Sequence, residues 1–348
     1  MLWKTRTRTL DLTHRALIMG VVNITPDSFS DAGKFADTES AVKHARQLAA
    51  EGATIIDIGG ESTRPGAEPV AEEEELRRVL PVIERLANGP GRTGAPGRTG
   101  DGSLILSIDT RKPTVARAAL EAGAEIVNDV TGLRDPAMRE VVRASGAGAI
   151  AMHMQGSPRD MQVAPHYDDV VAEILIFFRQ TFSACLACGI DPMHLAFDPG
   201  IGFGKTVEHN LALLRKLDAM RVGEPDGAGG EHPTSNVRRP SEADGRRSRS
   251  GIPAASSSLK AEEAGSLSYF QDQSGTDARR PLVLGVSRKS FLGKLGGEGA
   301  GADRLWPTVA LTSYGRSHGV NVFRVHDVRP NFEALRMTEA ILHEEAVA

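Results

Sequence analysis

Residues 18–31 read I-M-G-V-V-N-I-T-P-D-S-F-S-D, an apolar segment that runs directly into a polar loop. The run Ile18–Val22 is typical of a buried strand. The loop that follows brings many oxygen and amide groups together around a rigid proline, which is far more polar chemistry than a turn requires. This unit, a buried strand with a polar end, predicts a site at the carboxyl end of the strand.

The same unit recurs along the chain, because short β-branched runs alternate with amphipathic stretches. Eight strands are predicted, at 17–22, 54–58, 104–108, 125–130, 149–153, 194–197, 282–286 and 321–325. Eight helices are predicted between and after them, at 38–51, 71–86, 113–122, 136–144, 167–188, 206–219, 303–318 and 330–346. Eight such repeats favour a single α/β TIM barrel, the (β/α)8 fold, over an open sheet. Roughly the first 15 residues precede the barrel and are expected to cover its floor.

Two stretches interrupt this alternation. Residues 89–102 form an imperfect Gly/Arg/Thr repeat, and residues 222–280 are rich in Gly, Ser, Pro, Arg and Glu. Both are predicted to be disordered insertions. A chain of 348 residues is long enough for two ordinary domains, but without the insertions it has about the length of one barrel. We therefore assign residues 1–348 to one domain, with both insertions at the bottom face because each follows a helix and precedes a strand.

Composition excludes several classes of partner. Lysine and arginine total 41 against 45 acidic residues, a formal net charge of −4, which gives no argument for nucleic acid or an anionic membrane. No apolar run reaches the ~18 residues of a membrane span, and the N-terminus lacks the apolar segment of a secretory signal. A cytoplasmic protein is expected. Cys185 and Cys188 have no second pair and no histidine at ligand spacing, so zinc or redox chemistry is not expected.

Polar groups follow nearly every predicted strand. Because the carboxyl ends of barrel strands meet at the top face, these groups are expected to converge on one pocket. In chain order they are Asn23; Asp57 with residues 61–66; Asp109; Asn128 and Asp129; residues 153–155; Asp198; residues 287–290; and residues 324–327. The segment G-I-G-F-G-K-T at 200–206 is not a phosphate-binding loop, because the first glycine of that motif would fall on Pro199.

Four motifs together resemble the dihydropteroate synthase family. They are I-M-G-V-V-N-I-T-P-D-S-F-S-D at 18–31, D-I-G-G-E-S-T-R-P-G-A at 57–67, D-P-G-I-G-F-G-K at 198–205 and G-V-S-R-K-S-F-L-G at 285–293. The resemblance covers essentially the whole chain apart from the insertions. It implies condensation of 6-hydroxymethyl-7,8-dihydropterin pyrophosphate with p-aminobenzoate, Mg2+ as cofactor, a homodimer and a sulfonamide target.

The resemblance also implies roles for individual residues. Buried carboxylates and an amide complement the donors and acceptors of a pterin edge, and the family pattern puts Asp109, Asn128 and Asp198 there, with Lys289 facing the ring carbonyl. The expected diphosphate contacts are Thr63, Arg64, Arg324 and His326, and Asn23 is the expected Mg2+ ligand. Phe203, Ser290 and the stem of Arg288 are expected around the aminobenzoate. Lys289, Arg64, Asp109 and His326 are predicted to be catalytic.

Two alternatives remain open. One is a methyltetrahydrofolate:corrinoid methyltransferase, which would share the pterin-facing residues but needs no diphosphate contacts. The other is a non-catalytic pterin-binding scaffold. Among single residues, His153 has no family role and is interpreted mainly as structural. Two interpretations of Asp57 have equal weight: a purely structural role, and ordering of the neighbouring loops, in part through Arg64. Catalysis is expected mainly from positioning and electrostatics, because diphosphate is a good leaving group and the arylamine needs no strong base.

Overall fold

The computed structural model describes residues 1–24, 33–63, 66–89, 104–223, 279–295 and 304–343, without the side chains of 33–37. The polar loop at 25–32, Arg64 and nearly all of the two insertions lie outside the described residues. The described residues of Met1–Val222 and Arg279–Ala348 form one compact unit.

Eight parallel strands form the barrel, which confirms the predicted TIM-barrel fold. In the sheet, the strand at 17–23 pairs with the strand at 55–59, and the order continues strand by strand to 195–198, while the strands at 322–325 and 283–284 extend the sheet on the other side of 17–23. A parallel bridge between Phe197 and Leu282 joins the two ends and closes the barrel. The strands are β3 Leu17–Asn23, β4 Ile55–Gly59, β5 Ile105–Asp109, β6 Ile126–Asp129, β7 Gly148–Met152, β8 Leu195–Asp198, β9 Val283–Leu284 and β10 Val322–Val325.

The helices surround the strands near the predicted positions. They are α1 Gly33–Ala50, α2 Glu72–Asn88, α3 Pro113–Glu121, α4 Pro136–Ser145, α5 Val170–Ala187, α6 Val207–Leu214, α7 Ser290–Leu295, α8 Leu305–Ser317 and α9 Val328–Leu342. Two predictions were wrong in detail. The helix predicted at 206–219 ends as α6 at Leu214, with a separate 3-10 turn at Leu217–Met220, and the short α7 was not predicted.

Local chemistry explains where these helices begin and end, as α4 illustrates. Asp135 accepts a hydrogen bond from the Ala137 N–H at the first turn, and Pro136 occupies the first helical position, where no donor is needed. Gly146 ends the helix in the left-handed conformation, at φ 63°. Helix α5 is capped in the same way, since Asp169 accepts from the Val171 and Ala172 amides.

An N-terminal hairpin covers the floor of the barrel, as predicted. It pairs β1 Leu2–Lys4 with β2 Thr9–Asp11 in antiparallel register. Trp3 is fully buried, donates from Nε1 to the His194 carbonyl at 3.0 Å, and packs in a cluster with inward-facing residues from all eight strands. The apolar floor supports the polar groups one and two layers above it.

In the described part of the chain, α5 is the one helix whose length and composition would allow it to cross a membrane. The sequence analysis did not predict such a helix. Its Ile174, Phe178 and Phe182 are buried in the core between helix and barrel wall. Such burial is typical of a barrel helix in a folded globular domain.

Candidate active site

The alternation of strand side chains brings six charged or amide side chains into the barrel interior. Residues two or four apart on a strand point to the same face, and the inward floor cluster contains Met19, Ile55, Ile105, Ile126, Ala196 and Val322. The residues above them on the same strands therefore also face inward. They are Asn23, Asp57, Asp109, Asn128, Asp198 and Arg324.

Arg324 is at the centre of this group. Its Nε donates to Asp57 Oδ2 and its Nη2 to Asp109 Oδ2, both at 2.7 Å. Asn128 Nδ2 donates to the same Asp57 oxygen at 3.0 Å. Burial opposes charge on Arg324, but the carboxylates of Asp57 and Asp109 outweigh it and raise its pKa. The guanidinium is therefore a fixed cation whose orientation is set by two aspartates.

Two of the inward carboxylates are hard to ionise. Burial raises the pKa of Asp109 to about 7, against the opposing effect of Arg324. Burial also raises the pKa of Asp198 to about 6, while the Gly200 N–H, Lys289 and Arg324 oppose the shift. When such a buried carboxylate is ionised, it accepts strong hydrogen bonds from a neutral ligand that has replaced water. Shifts of this kind in a concave site are typical of functional groups.

Lys289 lies at the mouth of the barrel, next to the aromatic side chain that the sequence assigned to the same site. Its Nζ is 3.6 Å from the centre of the Phe203 ring, a cation–π contact. Burial, with Arg324 adding repulsion, lowers the pKa of Lys289 to about 7. Because burial destabilises the ammonium group, an acceptor on a ligand placed between Lys289 and Asp198 would stabilise it.

The glycine-rich loop after β8 carries Phe203 and is held by several side chains. Gly200, at φ 66°, leaves no space for a side chain, since a Cβ there would be 1.9 Å from the His153 carbonyl oxygen. The Gly200 N–H donates to Asp198 Oδ1 at 2.7 Å. Tyr167 Oη donates to the Gly204 carbonyl at 2.9 Å.

His326 reaches the rim of the site from the end of β10. Its backbone N–H donates to Ser287 Oγ at 3.1 Å, and its Nδ1 lies 3.0 Å from the same hydroxyl. The Ser287 hydroxyl can donate to Nδ1, and in that tautomer the ring N–H is on Nε2. Burial and the charges of Arg324 and Arg288 lower the pKa of His326 to about 3. The ring is a neutral donor at neutral pH in this structure.

Arg288 adopts a left-handed backbone conformation, at φ 57°, which is strained for a residue with a side chain. Its guanidinium forms a double hydrogen bond with Asp327, at 2.9 and 2.5 Å. Arg304 Nη1 donates to the Arg288 carbonyl at 2.9 Å. These contacts hold the segment that precedes Ser290, whose exposed side chain stands at the start of α7.

Other predicted site residues lie near the top face without joining this hydrogen-bonded group. Asn23 is half-buried at the end of β3, where a Cβ built on Gly59 would contact both Asn23 Oδ1 and Asp109. Thr63 is half-buried beyond the end of β4. Arg64, predicted to contact diphosphate, lies outside the described residues.

An ion-pair network anchors the segment between β4 and α2, on which Thr63 lies. Lys112 Nζ donates to Glu61 Oε2 at 2.8 Å and to the Val70 carbonyl at 2.7 Å, and it pairs with the fully buried Glu75. These bonds fix both ends of the segment on the barrel.

Sequence reasoning missed three residues that organise the site. Ser287, whose hydroxyl contacts both the backbone N–H and Nδ1 of His326, was noted only as one polar residue at a strand end. Lys205 was noted only as the last residue of the D-P-G-I-G-F-G-K motif and in a rejected phosphate loop, with no role of its own, yet it is buried with its Nζ 3.1 Å from His153 Nδ1. Arg304 had no distinguishing signal. His153 points away from the barrel interior, between Tyr167 and Phe177.

Comparisons with known proteins agree with this geometry. A profile of the family described as "Pterin binding enzyme" matches residues 19–238 and 259–326. The chain is 36% identical over 333 residues to the dihydropteroate synthase of Escherichia coli (strain K12), covering 96% of this chain and 94% of that relative. It resembles the solved structure of Xanthomonas albilineans dihydropteroate synthase with 4-aminobenzoic acid, with a TM-score of 0.72, 37% identity and 98% of both chains covered. It also resembles the Burkholderia cenocepacia dihydropteroate synthase complexed with 7,8-dihydropteroate, with a TM-score of 0.73, 33% identity, and 98% of this chain and 96% of that chain covered.

Proposed function

The chain belongs to the dihydropteroate synthase family of pterin-binding enzymes, and from that premise we propose which of its residues perform the reaction. The enzyme is a transferase of folate biosynthesis. It joins 6-hydroxymethyl-7,8-dihydropterin pyrophosphate to p-aminobenzoate. The arylamine nitrogen forms a bond to the pterin methylene carbon, the bond from that carbon to the diphosphate oxygen breaks, and the nitrogen loses one proton.

The pterin is proposed to bind inside the barrel mouth, against Asp109, Asn128 and Asp198. The buried carboxylates accept hydrogen bonds from its amino and ring N–H groups, and Asn128 supplies both a donor and an acceptor. Lys289 faces the ring carbonyl from the side of Phe203. Because these groups are already fixed by Arg324, the Gly200 amide and Phe203, binding requires little reorganisation.

The diphosphate is proposed to lie at the rim, where its charge is met by Arg324 and by neutral donors. His326 offers its Nε2–H, and Thr63 offers a hydroxyl. Asp57 is assigned the role of orienting Arg324, since it accepts from Nε at 2.7 Å. Arg64 is proposed to add a second cation, on the basis of its motif. These contacts stabilise the negative charge that grows on the leaving oxygen.

Mg2+ is proposed as the cofactor, with Asn23 as its ligand from the protein. No group of three or more His, Cys, Asp or Glu side chains suited to a metal occurs in the described ranges. One amide oxygen fits an ion that is held chiefly by phosphate oxygens and water. Such an ion would supply additional neutralisation of the diphosphate.

The aminobenzoate is proposed to lie between Phe203 and the stem of Arg288, with its carboxylate near Ser290. This arrangement points the amine at the pterin methylene. A sulfonamide, which resembles the aminobenzoate, is expected to compete for the same place. We also propose a homodimer in the cytoplasm. For the dimer, the exposed apolar side chains Met337 and Ile341 on α9 are suitable contacts.

The observation that carries the proposal is the set of inward groups centred on Arg324, because it pairs pterin-complementary carboxylates with a fixed cation at one barrel mouth. Pyrophosphate release on adding both substrates and Mg2+ tests it directly. We expect turnover that requires both substrates and falls when Mg2+ is chelated. Release of no pyrophosphate by folded protein would contradict the assignment.

The Arg64→Ala variant separates the diphosphate contacts from the pterin contacts. We expect it to weaken use of the diphosphate ester while leaving affinity for free 6-hydroxymethyl-7,8-dihydropterin near that of the wild type. Equal loss for both ligands would indicate a structural role for Arg64. A corrinoid methyltransferase, which has no diphosphate substrate, would show no such difference.

A further inference from the structure

Lys205 is a buried lysine at the end of the glycine-rich loop, and its side chain is only 4% exposed. Its Nζ donates to the carbonyls of Gly200 at 3.0 Å and Phe203 at 2.9 Å. It also lies 3.1 Å from His153 Nδ1. A lysine ammonium has three donors and no acceptor, so His153 accepts the third hydrogen bond and carries its own proton on Nε2.

The loop that Lys205 closes connects two parts of the site. At its start, the Gly200 N–H donates to Asp198 Oδ1 at 2.7 Å. Near its end, the Phe203 ring lies 3.6 Å below Lys289 Nζ. Because Lys205 binds the carbonyl of each of these two loop residues, a displacement of its ammonium group moves both the support of Asp198 and the aromatic ring.

The charge of Lys205 also acts on the same carboxylate. The cations that face Asp198 are Lys289, Arg324 and Lys205, each from a different segment, and all three lower its pKa against the effect of burial. The other two carboxylates of the barrel interior, Asp57 and Asp109, are paired with Arg324. Burial lowers the pKa of Lys205 to about 7, with Asp198 opposing the shift, so the ammonium is charged in the acid range where Asp198 titrates.

We propose that Lys205 is a positioning residue for both substrates: its ammonium group holds the loop 199–204 so that Asp198 meets the pterin and Phe203 meets the aminobenzoate. It touches neither substrate. The inference rests on the proposed function in taking a pterin as the ligand of Asp198. It adds that the lysine works from behind the site, through backbone carbonyls and His153.

The test uses Lys205→Met and Lys205→Gln in the full chain. Lys205→Met removes every hydrogen bond of the ammonium, whereas Lys205→Gln keeps N–H donors without charge and disturbs the fold less. Two controls are matched to them. Tyr167→Phe removes one bond to the loop, at the Gly204 carbonyl, without a change of charge, and Lys216→Met removes an exposed lysine from the same part of the chain.

Binding of 6-hydroxymethyl-7,8-dihydropterin is measured by calorimetry between pH 5 and 8, and KM for each substrate by pyrophosphate release. We expect Lys205→Met to weaken pterin binding by about ten- to a hundredfold, the range for a lost hydrogen bond to a charged group. It should also raise KM for aminobenzoate. In both Lys205 variants the fall of pterin affinity in acid should move to higher pH, because Asp198 loses a neighbouring cation.

Tyr167→Phe should weaken binding slightly without moving that fall, and Lys216→Met should change nothing. A folded Lys205→Met or Lys205→Gln that binds pterin with the affinity and pH dependence of the wild type would overturn the proposal. If Lys205→Met does not fold, the pterin affinity and pH dependence of Lys205→Gln alone test the proposal. Failure of the wild type itself to bind the pterin would contradict the proposed function instead.

Discussion

Arg324 shows how a buried charge can be held ready for a substrate. Its guanidinium donates to Oδ2 of Asp57 and to Oδ2 of Asp109, and the same Asp57 oxygen accepts from Asn128. Removing one partner of such a buried pair leaves an uncompensated charge and typically costs about 3–5 kcal/mol. The group therefore has one favoured arrangement. This arrangement leaves the remaining lone pairs of Asp109 available for a ligand.

Asp198→Ala tests whether this carboxylate binds the pterin or only ties its own loop through Gly200. Donors of a bound pterin left unpaired should cost ~2–5 kcal/mol, roughly thirty- to several-thousand-fold in kcat/KM. Asp135→Ala, which removes an exposed helix cap, should cost about 1 kcal/mol of unfolding free energy with unchanged kcat/KM. A change below threefold in Asp198→Ala would remove this residue from the pterin site.

His153 gives a prediction about stability and pH. Burial, with the charge of Lys205 adding to it, lowers the pKa of His153 to about 2, so between that value and about 6.5 the unfolded chain binds a proton that the folded protein does not. The contribution of His153 to stability is therefore complete above pH 6.5 and decreases as the pH falls. His153→Asn keeps an acceptor for Lys205 but does not titrate.

The unfolding free energies of wild type and His153→Asn, from urea titrations, should therefore approach each other in acid. The advantage of the wild type should shrink by about 1 kcal/mol between pH 6.5 and 5.5. Other titrating groups contribute equally to both proteins and cancel in the difference. A difference that does not vary with pH would mean that the buried ring takes up its proton at the same pH in the folded and the unfolded protein, and would contradict the lowered pKa.

Among the elements, the glycine-rich loop after β8 depends most on a single backbone position. Gly200→Ala adds a methyl group 1.9 Å from the His153 carbonyl at φ 66°. Gly146→Ala adds one at φ 63° with no atom within 4 Å. Both should lose about 1 kcal/mol from the left-handed conformation. Only Gly200→Ala should also displace the loop and weaken pterin binding, which calorimetry would detect; equal binding by both variants would mean that the loop shape is unimportant.

Strands and helices could be predicted where the local pattern of apolar and polar residues was regular. The alternating apolar runs located the eight strands, and the polar residue after each strand indicated the mouth of the barrel. Helix α6 was predicted too long because 206–219 is helical in composition, whereas the helix ends at Leu214 and a separate 3-10 turn follows at Leu217–Met220. The short α7 has too few residues for a periodic signal.

Contacts between distant segments could not be derived from the sequence. The pairing of Arg324 with Asp57 joins residues 267 positions apart, and no local pattern specifies which of several carboxylates an arginine will reach. The same holds for Lys205, whose partners include a histidine 52 positions away. Its local context, a lysine after three glycines, gave a family motif and a phosphate loop that the spacing excludes, but neither indicated the partners of the lysine itself.

For the molecule as a whole, the long insertion should be dispensable for turnover. The Arg280 N–H donates to the Val222 carbonyl at 2.6 Å, so the chain is already closed at the base of this segment. Arg221 contacts Met1 of the floor hairpin, at the end of the barrel opposite the site. Replacing residues 224–278 with two glycines should leave kcat within about twofold of the wild type. Loss of activity in a folded variant would contradict the bottom-face placement.

The plug that Trp3 forms in the barrel floor has a consequence for how the protein is made. Its neighbours include Val283 and Val322, so the segment that leaves the ribosome early cannot reach its final place until nearly the whole chain has followed. Such long sequence separations slow folding. Trp306, the second tryptophan, is exposed. In a Trp306→Phe variant, the fluorescence of Trp3 would report when Trp3 becomes buried in the barrel floor during refolding. We expect this fluorescence change to coincide with the recovery of activity, as it should if burial of Trp3 in the barrel floor is the last event of folding.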